Sequence, residues 1–217
     1  MAEIIQLKSL NSSILGNVAD SLRTGGLVCL PSDTVYGLTG LCTRPEIRGK
    51  ISETKNRPAD KPLALIFGDV RDVLDALPSL PDGLRFVVAK LLPGPVTVVV
   101  PASPVESEAL GLPGLKSVGI RVIPPPLNKL YRLLPGPLFA TSANIAGEAD
   151  PCLVNEISQK IRETCDFVID AGARLPCVAS TVVDLGPLVE GGTPGILRQG
   201  AMPEEEILKR VDSCGCF

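Results

Sequence analysis

Short runs of apolar, often β-branched residues alternate along the chain with segments whose apolar residues recur every three or four positions. Such runs are typical of buried strands, and the recurring positions are typical of amphipathic helices. The segment SSILGNVADSLRTGG (12–26), for example, has apolar residues at helical spacing, a serine (Ser12 or Ser13) to cap its start and two glycines to end it. Strands interleaved with helices predict an α/β fold with one sheet, which we expect to be mixed.

The same pattern predicts the individual elements. Strands are predicted at EIIQL (3–7), LVCL (27–30), LALIF (63–67), VTVVV (96–100), SVGIRV (117–122), DFVID (166–170) and STVVDL (180–185), and PLFA (137–140) leads into TSAN. Helices are predicted near 12–24, 45–54, 82–92, 126–134, 153–164 and 203–212. No repeat or linker divides the sequence, so residues 1–217 are predicted to form a single domain, which this length can support.

Positive charge is concentrated in one part of a chain that is acidic overall. The net charge of −3 argues against a protein that coats nucleic acid nonspecifically. Residues 44–62 nevertheless carry six cations against three acids, a net of +3. Within them, the loop TKNRPADKP places Lys55, Arg57 and Lys61 directly before an apolar run. This charge run is either a solvated turn or a cradle for a polyanion.

Histidine and cysteine narrow the chemistry. The chain has no histidine, which excludes Ser-His-Asp triads and imidazole bases. Four of the seven cysteines lie among apolar residues, namely Cys29, Cys42, Cys165 and Cys177. We expect them to be small, unpaired core side chains, which indicates a protein of a reducing compartment. The N-terminus lacks the features of a signal peptide and no apolar run has membrane length, so we expect a cytoplasmic protein, with an organellar fraction left open.

Polar clusters occur where the predicted strands end, which is where open α/β sheets bind ligands. Taken singly, each cluster is as typical of a turn or a helix cap as of a site. The clusters are PSDTVYGL (31–38), KNRPADKP (55–62), SVGIR (117–121), TSAN (141–144), STVVDL (180–185) and ILRQG (196–200).

The ordered set of these motifs, together with PGPVT (93–97), resembles the YrdC-like family of L-threonylcarbamoyladenylate synthases over about residues 10–200. The resemblance implies a twisted sheet with a large, positively lined cavity. It also implies a nucleotidyltransferase that makes threonylcarbamoyl-AMP and pyrophosphate from L-threonine, bicarbonate and ATP. A partner enzyme, a tRNA-modifying transferase, would then use the product to modify an adenosine of tRNA.

The resemblance also implies roles for individual residues. Lys55 and Arg57 would be catalytic and, with Lys61, would hold the triphosphate, because charge builds up on phosphoryl oxygens during nucleotidyl transfer. Mg²⁺ is expected to arrive with ATP rather than in an all-protein site. The side chains implied for L-threonine are Thr34, Tyr36, Arg121, Ser142 and Ser180. Those implied for the nucleotide are Ser117, Asn144, Cys152 and Arg198.

Three positions depart from the family pattern: Ser32 replaces a commoner threonine, Ile66 stands where some relatives are polar, and Cys152 stands where others have Ser or Thr. The contact of Cys152 with nucleotide is therefore in doubt. Two other functions compete with the synthase. One is a non-catalytic module binding tRNA or double-stranded RNA, which seven aromatic residues and the net negative charge disfavour. The other is a related carbamoyl-transfer enzyme.

Overall fold

A computed structural model describes residues 2–58 and 61–213. Ten strands form one mixed sheet, and five of its nine neighbouring pairs are antiparallel. In chain order the strands are β1 Glu3–Gln6, β2 Val28–Pro31, β3 Tyr36–Leu41, β4 Ala64–Phe67, β5 Val96–Pro101, β6 Ser117–Val122, β7 Leu138–Ser142, β8 Phe167–Asp170, β9 Thr181–Asp184 and β10 Gly195–Arg198. Their order across the sheet is β1-β8-β2-β3-β7-β4-β6-β5-β9-β10. The prediction of an α/β fold with a mixed sheet is confirmed.

In the described residues, eight α-helices flank the sheet. They are α1 Ser12–Arg23, α2 Ile47–Lys55, α3 Val70–Ala76, α4 Asp82–Leu91, α5 Pro104–Ala109, α6 Asn128–Tyr131, α7 Gln159–Thr164 and α8 Glu204–Asp212. No helix in the described part of the chain combines the length and hydropathy needed to cross a bilayer.

Several boundaries differ from the prediction. The cap of α1 is Asn11, whose side chain accepts from the amide of Ile14, rather than Ser12 or Ser13. The helix predicted at 153–164 is broken into a 3₁₀ turn and α7, and the helix predicted at 126–134 is the single turn of α6. The pattern did not predict β3, α3 or α5. With two glycines and little alternation, YGLTGL does not resemble a strand.

The two faces of the sheet are covered differently. Helices α2, α4 and α8 pack on one face over a large apolar core that includes Phe67, Val98 and Ile120. On the other face, α1 and α6 cover a smaller cluster around Val28 and Leu30. The central strands carry small residues on this second face, so an open space remains beside α1 and α6.

The register explains the open space. Ala64 on β4 lies beside Ala140 on β7 and Gly119 on β6, and Gly119 lies beside Val99 on β5. These four neighbouring positions share one face of the sheet, and three of them are glycine or alanine. Small side chains leave room above a sheet. This row forms the floor of the candidate site.

Candidate functional site

A cavity of about 500 Å³ opens above the row of small residues. Its walls come from β4–β7, β9, β10 and the loop between β2 and β3. Among the described residues, the charged ones lining it are Arg121, Arg198 and Asp150. A cavity of this size, mostly apolar with a few polar groups, is typical of a site for a small molecule or nucleotide.

Arg121 is the most deeply buried cation in the cavity wall, with 9% of its surface exposed. It lies on β6 beside Ile66 of β4, and its Nη2 donates to the Oδ1 of Asp33 and, at 3.5 Å, to the Oγ1 of Thr34. Burial lowers the pKa of Arg121, and Asp33 opposes that shift. A buried guanidinium open to a cavity is suited to a carboxylate or phosphate.

The turn after β2 places Thr34 in the same wall. The Oγ of Ser32 accepts from the amides of Thr34 and Val35 and lies 2.9 Å from the Oγ1 of Thr34. This side-chain bonding fixes the turn, as serine commonly does. Ser32 lines the cavity, so its replacement of threonine keeps a hydroxyl at this place.

A second group of hydroxyls lies across the cavity. The Oγ of Ser180 is 2.8 Å from the Oγ1 of Thr97 on β5, and Arg198 donates to the carbonyl of Ser180 at 2.8 Å. All three residues line the cavity. The chain therefore brings strands β5 and β10 and the start of β9 together around one polar patch.

The charge run suggested that Lys55 lies on a surface loop, but the structure buries it at the end of a helix. It ends α2, only 3% of its surface is exposed, and its Nζ donates to the carbonyls of Ser142 and Asn144 and to the Oδ1 of Asn144. Burial, with the nearby charge of Arg57, lowers the pKa of Lys55 to about 8. Lys55 does not line the cavity, and it fastens the end of β7 to α2.

The signal for this burial was present in the sequence. Ile47, Ile51 and Lys55 follow one another at intervals of four, so Lys55 continues the buried stripe of α2. The helix then ends at Asn56 in the left-handed conformation, with φ of 51°.

Arg57 is held more loosely and lies at the cavity edge. Its Nη1 is 3.5 Å from the Oγ1 of Thr141, which lines the cavity, and its Nη2 is 3.4 Å from the carbonyl of Lys61. Its Nε is buried and has no acceptor among residues 2–58 and 61–213. A buried N–H without a partner costs free energy, so this guanidinium is suited to receive an anion. Lys61 is exposed beside it.

Two more of the residues implied for binding, Tyr36 and Asn144, do not line the cavity. Tyr36 is fully buried, and its hydroxyl accepts from the amide of Ala171 at 2.9 Å. The expectation that Tyr36 lines the pocket is wrong, because this strand turns that side chain toward the core. Asn144 does not line the cavity, but its Oδ1 accepts from the Oγ of Ser142 at 2.6 Å, and Ser142 does line it.

The cysteines correct two further expectations. Cys152 is 2% exposed and forms a disulfide with Cys177, so its sulfur is not available to a nucleotide. Cys177 is exposed, with φ of 64°, and is therefore not a core side chain. Cys29, Cys42 and Cys165 are free and buried, as predicted. The pairing also conflicts with the inference of a reducing compartment, which rested on unpaired cysteines.

The structure thus brings together six of the implied residues at the cavity: Thr34, Ser117, Arg121, Ser142, Ser180 and Arg198. Sequence reasoning gave no role to Thr97, Thr141 or Asp150, which also line it, although Thr97 and Thr141 lie within the motifs PGPVT and TSAN. Thr97 could have been found, because it interrupts the valines of β5. In the described part of the chain, no group of three or more Cys, Asp or Glu side chains is placed to hold a metal ion.

The family model of Sua5, YciO and YrdC proteins, described by the words "Telomere recombination", matches residues 20–200. The chain therefore belongs to this family. It is 32% identical over 194 residues to the threonylcarbamoyl-AMP synthase of Pyrococcus abyssi, a match that covers 89% of this chain and 56% of that protein. Its identity to the protein of the same name from Bos taurus is 36% over 191 residues, covering 84% of this chain and 66% of that protein.

A solved structure shows the same fold. P. abyssi Sua5 complexed with L-threonine superposes with a TM-score of 0.83 at 30% identity, over 96% of this chain and 61% of that one. The chain thus spans just over half of the length of the P. abyssi protein.

Proposed function

We propose that this chain makes L-threonylcarbamoyl-AMP and pyrophosphate from L-threonine, bicarbonate and ATP; the product is the one in the name of its relatives, the threonylcarbamoyl-AMP synthases. The observation that carries the proposal is the cavity itself. It combines a buried guanidinium, Arg121, with the hydroxyls of Thr34 and Ser180, and it has the loosely held Arg57 at its edge. The guanidinium of Arg121 and the two hydroxyls suit an amino acid with a polar side chain, and a cation such as Arg57 suits a polyphosphate.

In this proposal the threonine carboxylate binds Arg121, and the triphosphate lies toward Arg57 and Lys61. Lys55 acts indirectly, by fixing the segment that carries Ser142. Ser117 and Arg198 hold the nucleotide. Mg²⁺ enters as part of the ATP substrate and offsets the charge of the leaving group. The product would pass to a tRNA-modifying transferase. A tRNA-binding measurement beside the assay below tests whether the chain binds tRNA directly.

The chemistry needs two steps. The threonine amine attacks the carbon of bicarbonate, a C–N bond forms, and water leaves to give a carbamate. A carbamate oxygen then attacks the α-phosphorus in line with the bond to the β-phosphate, which breaks to release pyrophosphate. The side chains position the reactants and balance negative charge, so no histidine is required.

Pyrophosphate release tests the proposal. The purified chain should release pyrophosphate from ATP only when threonine and bicarbonate are both present, and Arg57→Ala should lower the rate at least about a hundredfold. Lys209→Ala, which removes a cation from α8, is the matched control and should leave the rate unchanged. Pyrophosphate release that ignores threonine would overturn the proposal, and tRNA binding without any release would favour the RNA-binding alternative.

A further inference from the structure

We propose that Asp33 receives the α-ammonium group of the amino-acid substrate, so that Asp33 and Arg121 together recognise a zwitterion. This inference rests on the proposed function and adds a residue to which the family resemblance assigned no role.

The ion pair between Asp33 and Arg121 is the starting observation. The Nη2 of Arg121 donates to the Oδ1 of Asp33, and apart from the backbone amide of Asp33 itself no further described group donates to that carboxylate. The side chain of Asp33 is 26% exposed, whereas that of Arg121 is 11% exposed. One carboxylate oxygen thus fixes the buried cation, and the other is left able to accept from a ligand.

The guanidinium of Arg121 also keeps room for a ligand. Its Nε and Nη1 make no hydrogen bond to a described residue. A carboxylate gripped by two parallel bonds always uses Nη2, together with either Nη1 or Nε, and Nη2 has two hydrogens. Asp33 takes one of them. The other hydrogen is shared with Thr34 only at 3.5 Å, which is a weak contact, so one edge can still grip the substrate.

The chemistry of an α-amino acid fits what is left. Two carboxylates on one buried guanidinium repel each other, because the pair then carries a net negative charge. In an amino acid the ammonium nitrogen is two bonds from the carboxylate carbon, so it can reach Asp33 while the carboxylate binds Arg121, and its positive charge removes that repulsion. When the nitrogen becomes a carbamate nitrogen, its remaining N–H can still donate to Asp33.

Calorimetric titration without ATP tests this assignment. The two ligands are L-threonine and the 2,3-dihydroxybutyrate of the same configuration, which has a hydroxyl in place of the ammonium. The variants are Asp33→Asn, Asp33→Glu and, as a matched control, Asp75→Asn, which removes one exposed carboxylate from α3. The wild type should bind threonine at least about tenfold more tightly than the analogue, since a hydrogen bond between charged groups is at stake.

Asp33→Asn should weaken threonine binding about tenfold or more and should leave binding of the analogue unchanged or tighter, because the analogue loses only a repelling carboxylate, with Asp33→Glu intermediate and Asp75→Asn like the wild type. Tighter threonine binding by Asp33→Asn would show that Asp33 competes with the substrate for Arg121. Equal weakening of both ligands would show that Asp33 only positions Arg121. Either result overturns the proposal.

Two further outcomes need no folded variant. A wild type that prefers threonine over the analogue by less than about threefold overturns the proposal. A wild type that binds neither ligand shows that the proposed substrate is wrong, and the role of Asp33 fails with it.

If the threonine preference depends on Asp33 but no pyrophosphate is released, the proposed function fails and the ammonium site stands.

Discussion

The disulfide between Cys152 and Cys177 closes a loop whose ends lie at the cavity. The two cysteines are 25 residues apart in sequence, and their neighbours Asp150 and Ala179 line the cavity. Opening the bond frees that loop in the unfolded chain. For about 25 residues, the loop-closure entropy corresponds to roughly 3.5 kcal/mol of folding free energy as an upper value.

The assay is thermal unfolding with and without a dithiol reductant. For a chain of this length, a loss of that size lowers Tm by roughly 7–14 °C, so reduced wild type should melt well below the oxidised protein. Cys177→Ser should melt like reduced wild type and should ignore the reductant. If mass spectrometry shows the bond but reduction leaves Tm unchanged, the loop-closure reasoning is refuted. If the oxidised protein contains no such bond, the assignment of the two cysteines is refuted.

Three other predictions follow from buried polar groups. Lys55→Ala should lower the rate of pyrophosphate release. It should also lower the free energy of unfolding by about 2 kcal/mol or more, because the carbonyls of Ser142 and Asn144 lose their ammonium donor. Urea titration checks this, and a Lys55→Ala variant as stable as Arg57→Ala would contradict it. Burial alone would raise the pKa of Glu106, but hydrogen bonds from Ser79 and Ser103 outweigh it and lower the pKa to about 2, against 4.5 for the free group. The resulting stability is present above pH 4.5 and is lost as the pH falls toward 2, so acid titration of Glu106→Gln should lack this component; an unchanged acid midpoint would contradict it. Threonine should exceed serine in kcat/KM about tenfold or more, because serine lacks the methyl group that would contact Ile66 or its neighbours. Valine should also be a poorer substrate than threonine, because Thr34 or Ser180 loses a hydrogen-bond partner. Valine used as well as threonine would exclude the hydroxyl contact.

Most of the strands and helices could be predicted from the sequence, because their segments are rich in β-branched residues or have helical periodicity. Helices α1, α4 and α8 and the strands β5 and β6 repeat their pattern over enough residues to be recognised locally. The strand β3 could not be recognised, because it is specified by its neighbours β2 and β7 rather than by its own alternation. Short helices such as α5, with six residues, carry too few turns for a periodic signal.

The candidate site could be predicted from the sequence only in part, for a different reason. The family resemblance, which rests on the order of the motifs, implied roles for Thr34, Arg121 and Ser180, and all three line the cavity. It could not show whether a charged residue points into the cavity or behind its wall, as the burial of Lys55 demonstrates. Nor could it pair Cys152 with Cys177, because that contact depends on how the chain returns past β8.

The strand order has a consequence for synthesis on the ribosome. Strand β3 ends at residue 41, and its neighbour β7 begins only at residue 138. Until that later segment emerges, one edge of β3 has no partner, and unpaired edges of this kind invite association with other chains. The last wall of the cavity, at Arg198, is made later still. Substitutions in β7 that slow its pairing should therefore reduce the yield of correctly assembled protein in cells, even where they leave the finished site unaltered.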